Sequence, residues 1–167
     1  MKDKIVNKVA QSALVTFDLE QLYPKGVLLE VDLSQWLDQG FILREKEFRT
    51  AIKNHDWNQY RGNYIAMNCK TDAILPAWAS LLVTAQLSQV AKQIVWGSIK
   101  DLEKHLFSQA ITNLDLTPFK GKPIIVKGCF DKEVPEDAFV QLIQKLKPVA
   151  KSLFYGEACS SVPLFKS

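Results

Sequence analysis

Several patterns that would assign a reaction are missing from this sequence of 167 residues. No apolar stretch is followed by a Walker A loop or a dinucleotide-binding fingerprint, which argues against a nucleotide-dependent enzyme. A Gly-x-Ser-x-Gly elbow is also absent, which argues against a serine hydrolase of that class. Because low-complexity segments and linkers rich in glycine, serine or proline are missing too, we expect one domain covering residues 1–167.

The chain also has little excess charge and no long uninterrupted apolar run. Its net charge is only +3, and basic residues alternate with acidic ones, so we expect no nucleic-acid partner. The uncharged stretch 73–91 contains Pro76 and several hydroxyl and amide side chains, which favours a buried helix over a membrane span. No continuous apolar segment follows Met1-Lys-Asp-Lys4, so we expect neither a secretory signal nor a membrane partner.

Cysteine is scarce. The chain has three cysteines, an odd number in a sequence without a secretory signal. Such a count favours reduced thiols over a disulfide framework. We therefore expect a cytoplasmic protein.

The strongest pattern is an alternation of apolar strands and amphipathic helices. Such alternation is typical of crossover connections and a mostly parallel sheet, so we predict a three-layer α/β sandwich. Two earlier strand-like stretches, 14–19 and 27–33, are separated by a turn signal, which predicts a hairpin that extends one edge of this sheet. The four strands of the sheet are predicted at 64–69, 93–96, 123–127 and 152–155, and helices at 3–12, 44–54, 76–91, 101–113 and 135–146.

Cysteines and glycines follow the predicted strands where ligands of open α/β sheets bind. Cys69 closes the first strand, Cys129 follows the third, and Cys159 follows the fourth, so all three are expected on one rim. Cys129 and Cys159 are candidates for a thiolate site that binds zinc or iron, since sulfur ligands disfavour magnesium and calcium.

Other residue types complete the candidate site. His55, Asp56 and Glu157 are possible additional ligands or orienting groups, and His55 is alternatively a general base or a helix C-cap. One cysteine could instead be a nucleophile or a redox partner. The simplest alternative is that the cysteines are small buried hydrophobic residues at strand ends, above all Cys69.

Several short motifs are spread along the chain: Phe17-Asp-Leu-Glu20, Ile42-Leu-Arg-Glu-Lys-Glu-Phe-Arg49, His55-Asp-Trp57 with Tyr60, Asp72-Ala-Ile-Leu-Pro-Ala-Trp78, Lys127-Gly-Cys129 and Gly156-Glu-Ala-Cys-Ser-Ser-Val-Pro163. In these motifs the chain resembles, over nearly its whole length, an uncharacterised bacterial family, domain-of-unknown-function family 2480. The resemblance implies no established activity, but it implies an association with the sulfur-mobilisation system that assembles iron–sulfur clusters. Ala158 stands where proline is expected, and Phe130 where a smaller or polar residue is expected, which would reshape the loops around the two cysteines.

The leading hypothesis is a cytoplasmic accessory protein linked to iron–sulfur or sulfur metabolism, with iron–sulfur assembly proteins as partners. Its candidate site comprises His55, Asp56, Cys129, Glu157 and Cys159, with His55, Cys129 and Cys159 as metal ligands. The alternatives are a cysteine-dependent enzyme that acts on a small substrate and a metal-free protein-interaction module. The sequence leaves the oligomeric state open, with a homo-oligomer among the options.

Overall fold

The computed structural model describes residues 13–128 and 131–167. The chain forms two compact units. The central unit is Pro24–His105, and the split unit combines the residues up to Tyr23 with Leu106–Ser167. The expectation of a single domain stays a prediction, and the helix expected at 3–12 lies outside the described residues.

Strands and helices alternate through both units, as the sequence predicts. The boundary between the units falls within the third α-helix. In chain order the elements are β1 Val15–Asp18, β2 Leu28–Asp32, α1 Glu45–Asn54, β3 Tyr64–Asn68, α2 Ala77–Leu87, β4 Gln93–Trp96, α3 Ile99–Thr112, β5 Pro123–Lys127, α4 Glu136–Leu146, β6 Ser152–Glu157 and β7 Ser160–Lys166.

The described strands form two sheets, so the expectation of one sheet is wrong. The central unit has the order β2-β3-β4, and both pairings are parallel. The split unit has the order β1-β5-β6-β7, in which only the last pairing is antiparallel. The predicted hairpin between the first two strands is wrong for the same reason, because β1 pairs with β5 whereas β2 pairs with β3. The mixed α/β class is confirmed, and the three-layer arrangement stays a prediction.

The C-terminal strand β7 is the element that the sequence pattern does not reveal. It contains Pro163, which cannot donate a backbone hydrogen bond and therefore argues against a strand. The structure accommodates Pro163 because β7 lies at the edge of its sheet, where one side needs no partner. A register shift in β6 between Leu153 and Phe154 accompanies the pairing with β7.

The two units are built on one repeated pattern. Phe107 follows Phe48 by 59 positions, and the same separation relates β3 to β5, α2 to α4 and β4 to the first residues of β6. Identical residues occupy corresponding positions in both copies: Phe48 and Phe107, Ile52 and Ile111, Asn54 and Asn113, Asp56 and Asp115, Gly62 and Gly121, Pro76 and Pro135, Leu87 and Leu146, Lys92 and Lys151, and Gly97 and Gly156.

Corresponding hydrogen bonds join the turn before the middle strand to the end of the following helix. Gly62 and Gly121 have positive φ angles of 73° and 67°, which glycine adopts without strain. In each turn, the backbone N–H of the glycine and the backbone C=O of the next residue form hydrogen bonds with the segment that follows α2 or α4. The bonds are Gly62 N–H to Val90 O (2.9 Å) and Lys92 N–H to Asn63 O (2.9 Å) in the central unit, and Gly121 N–H to Val149 O (2.8 Å) and Lys151 N–H to Lys122 O (2.9 Å) in the split unit.

Each unit has its own hydrophobic core. Phe48 and Ile52 of α1 are buried in the central core, while Phe107 and Ile111 of α3 occupy the corresponding places in the split core. Both phenylalanine side chains are fully buried, at 0% exposure. The repeated sequence pattern therefore specifies the same packing twice.

We expect Phe48→Ala and Phe107→Ala to lower the free energy of unfolding by about 3–5 kcal/mol each, because each removes a large buried side chain and leaves a cavity. Guanidinium unfolding followed by circular dichroism measures both losses. Ile74→Ala is the control, since Ile74 is 93% exposed. A loss at either phenylalanine no larger than that of Ile74→Ala would contradict the two-core description.

Candidate functional site

Three neighbouring strands of the split unit end in charged side chains. Lys127 of β5 lies between Asp18 of β1 and Glu157 of β6, and its Nζ is 3.7 Å from an oxygen of each carboxylate. The parallel register explains the row, since Asp18 is directly opposite Lys127 and β6 is the next strand. We call Asp18, Lys127 and Glu157 the charged row. Because its side chains are partly exposed, each ion pair contributes about 1 kcal/mol or less. The Asp18 carboxylate also accepts a hydrogen bond from the Glu20 N–H at 3.0 Å.

The chain leaves β5 through a narrow passage. A Cβ atom on Gly128 would lie 3.2 Å from both Leu19 Cβ and Phe139 Cζ, so glycine is the residue that fits with least disturbance. The Asp131 N–H donates a hydrogen bond to Glu20 Oε1 at 3.1 Å, which links Asp131 to the 3-10 turn that follows β1. Cys129, the candidate ligand that directly follows Gly128, lies outside the described residues.

Cys159 lies in the tight turn that joins β6 to β7. Gly156 allows this turn: its φ is 117°, and a Cβ there would be 2.8 Å from the Ser160 carbonyl oxygen. Ala158 and Cys159 form the tip, between the paired residues Glu157 and Ser160. The Cys159 thiol is free and exposed, so the fold leaves it accessible at the end of the sheet where the charged row lies.

The corresponding edge of the central unit is occupied by internal hydrogen bonds. Asp32, the counterpart of Asp18, accepts bonds from the Ser34 and Lys70 backbone N–H groups at 2.9 and 3.0 Å. Burial raises the pKa of Asp32, but the hydrogen bonds from Ser34 and Lys70 outweigh burial and leave this pKa lowered. The Lys70 ammonium pairs with Glu30 at 2.5 Å, so the charged groups at this edge already have partners.

Asn68 is the central-unit counterpart of Lys127. Its Nδ2 donates to Glu30 Oε1 at 2.8 Å and to the Gly97 carbonyl at 3.2 Å. Its Oδ1 is buried and has no hydrogen-bond partner among the described residues. Where the split unit has the charged Lys127, the central unit therefore has an amide that links β3 to β2 and to the residue after β4.

His55 and Asp56 belong to the central unit. His55 ends α1, and its ring packs edge-on against Trp36 and Trp57 at centroid distances of 5.1 and 4.7 Å. Its Nε2 lies 3.1 Å from the Tyr60 hydroxyl oxygen. Asp56 caps the 3-10 turn that follows by accepting a bond from the Asn58 N–H at 3.0 Å. These contacts give both residues a role in the fold of their own unit.

The predicted ligand set is distributed over both units. Glu157 and Cys159 lie together in the split unit, His55 and Asp56 lie together in the central unit, and their union in one site stays a prediction. Within residues 13–128 and 131–167, no group of three or more histidine, cysteine or acidic residues is placed to hold a metal. The expectation that all three cysteines share one rim is wrong, because Cys69 follows a strand of the other sheet.

The split unit also carries an apolar groove that the sequence pattern does not reveal. The groove has a volume of about 650 Å³ and lies where α4 meets β5, β6 and β7. The Tyr155 ring stands edge-on to Phe139 at 5.8 Å and remains 43% exposed. The lining residues are Val126, Val134, Glu136, Phe139, Val140, Ile143, Gln144, Tyr155 and Leu164.

Comparison with known families agrees with the resemblance seen in the sequence. The model of a family described as "Protein of unknown function (DUF2480)" matches residues 3–167, and the chain belongs to this family. Searches of curated proteins and of solved structures found no match. No helix in the part of the chain that the structure describes is long and apolar enough to cross a membrane.

Burial of His55 predicts a pH dependence of stability. Burial lowers the pKa of His55 below its ordinary value of 6.5, and the nearby Asp56 carboxylate opposes this shift only in part. The unfolded chain therefore binds more protons than the folded one once the pH falls below 6.5. The free energy of unfolding decreases as the pH falls below 6.5 and is retained at higher pH.

Urea unfolding at pH 7.5 and pH 5.5 measures this loss. His55→Gln should reduce the difference in the free energy of unfolding between the two pH values, because the substituted side chain does not titrate. His105→Gln is the matched control, since His105 is exposed, and it should behave as the unchanged protein does. Equal pH dependence in both variants would contradict the assignment to His55.

Proposed function

We propose that this protein is a cytoplasmic accessory protein that works through thiols at the carboxyl edge of the split-unit sheet. The exposure of Cys159 in the β6–β7 turn, beside the charged row, is the observation that carries the proposal. Cys129 follows the neighbouring strand in sequence and is proposed as the second thiol. Iron–sulfur or sulfur metabolism is the proposed setting, with iron–sulfur assembly proteins as partners; this part rests on the family resemblance alone.

Two thiolates at this edge suit zinc or iron, which accept mixed sulfur and oxygen ligands. Glu157 is close in sequence to Cys159 and would supply a carboxylate oxygen, whereas His55 is the proposed nitrogen ligand. Lys127 already lies near Glu157 and Asp18, so it would balance the negative charge that two thiolates introduce. A thiol site of this kind also fits a cysteine-dependent enzyme, which differs in having one unusually reactive thiolate.

Elemental analysis of protein purified without chelator tests the metal proposal. We expect zinc or iron in the unchanged protein and its loss in both Cys129→Ser and Cys159→Ser, with the circular dichroism spectrum preserved. Cys69→Ser is the matched control and should keep the metal, since Cys69 belongs to the other unit. Metal-free unchanged protein, or metal kept by both serine variants, would refute the ligand assignment.

The apolar groove favours a second candidate function, a protein-interaction module. Its lining is mostly aliphatic and aromatic, and Val140 and Leu164 remain 56% and 49% exposed. Exposed apolar surface of this kind commonly marks a binding site. An apolar segment of a partner protein would remove these side chains from water.

An environment-sensitive dye, anilinonaphthalene sulfonate, probes the groove directly. Its fluorescence should rise on binding to the folded protein and should fall in Val140→Glu, because a carboxylate on the groove wall disfavours an apolar, anionic ligand. Val162→Glu is the matched control, since Val162 has a similar exposure of 58% and does not line the groove. Equal dye binding by both variants would argue against a functional groove.

A further inference from the structure

The outer edge of β4 has no partner among residues 13–128 and 131–167, where β4 ends the order β2-β3-β4. Its counterpart β6 is paired on both sides, by β5 and by the antiparallel β7. The repeated pattern ends before β7, because the chain that follows β4 enters α3 instead. The central unit therefore keeps open an edge that the split unit covers.

The backbone groups on this open edge can be identified from one hydrogen bond. The Gly97 N–H donates to the Met67 carbonyl of β3 at 2.8 Å. Backbone groups of successive strand residues point alternately to the two sides. Val95 therefore faces β3 together with Gly97, while the N–H and C=O groups of Ile94 and Trp96 face outward.

The side chains of β4 do not block the pairing of another strand with its outer edge. Exposed edge strands usually carry a charge, a proline or a bulge that blocks further pairing. The edge strand β7 has Pro163 and Lys166, and the edge strand β2 has Glu30. By contrast β4 reads Gln-Ile-Val-Trp, and its Trp96 side chain is 55% exposed. Such an edge is suited to receive another strand.

We propose that β4 pairs with β4 of a second copy of this chain, antiparallel and about a twofold axis, so that two three-stranded sheets become one. The register places Val95 opposite its symmetry mate and Ile94 opposite Trp96. This register uses every outward N–H and C=O group of Ile94 and Trp96, whereas a shift by two residues leaves some of them unpaired. The inference is independent of the thiol site, since every residue involved lies in the central unit.

The side chains in and around β4 favour a second copy of this chain as the partner strand. Directly opposite residues in an antiparallel pair project from the same face, so each Trp96 indole would cover Ile94 of the other copy. The same register brings Lys92 opposite Ser98. The Ser98 N–H and hydroxyl both bind the Asp101 carboxylate, at 2.8 and 2.7 Å. Each copy would therefore place a lysine near an acidic group of the other, which is the complementarity that a twofold contact needs.

Sedimentation velocity of the full-length protein tests the pairing. We expect twice the chain mass of 18.9 kDa for the unchanged protein and a single chain mass for Trp96→Lys, with circular dichroism unchanged. Tyr155→Lys is the matched control, because Tyr155 holds the corresponding position in a strand that β7 already covers, and it should stay dimeric. A monomeric unchanged protein, or a dimeric Trp96→Lys, would overturn the proposal.

Hydrogen exchange on the unchanged protein gives a test that does not depend on a variant that folds. The Ile94 and Trp96 amides should be protected at concentrations where the protein is dimeric, and their protection should fall on dilution to monomer. Fast exchange of both amides in the dimer would place the interface elsewhere. Protection that persists in the monomer would show that the edge is covered within one chain. Either result would overturn the proposal.

Discussion

The hydrogen bonds between a glycine turn and the segment after a helix are the constraint on which the rest of this structure depends. Gly62 N–H to Val90 O, and Gly121 N–H to Val149 O, fix where the middle strand begins relative to the chain that returns from the helix. Because the strands are parallel, fixing their starts also fixes their ends. The carboxyl ends of β5 and β6, with Lys127 and Glu157, therefore meet at one edge of the split-unit sheet.

The carboxyl edges of the two sheets carry different side chains at corresponding positions. At the central edge, Asp32 and Asn68 are occupied by hydrogen bonds to their own unit. At the split edge, Lys127 pairs with a carboxylate on each neighbouring strand, and Asp18 also accepts a hydrogen bond from the Glu20 N–H. The Cys159 thiol at this edge is free and exposed. This difference directs the functional proposal to the split unit, while the open β4 edge directs the assembly proposal to the central unit.

Local sequence patterns predicted the elements well because periodicity and capping are local properties. The strands 93–96 and 123–127 match the structure residue for residue. Hydrogen bonds in both directions between Ser98 and Asp101 cap the start of α3. The division into two sheets could not be read from periodicity, which does not record which strands pair. The 59-position repetition of Phe48, Gly62 and Pro76 was the available signal, since two copies of one pattern favour two cores.

The proposal that Cys129 and Cys159 act together is tested most directly with a trivalent arsenical, which binds tightly only where it bridges two adjacent thiols. Titration of the reduced protein should show one equivalent bound per chain, abolished by Cys129→Ser or by Cys159→Ser and retained by Cys69→Ser. Absence of tight binding to the unchanged protein, or binding that survives the loss of Cys159, would contradict the claim.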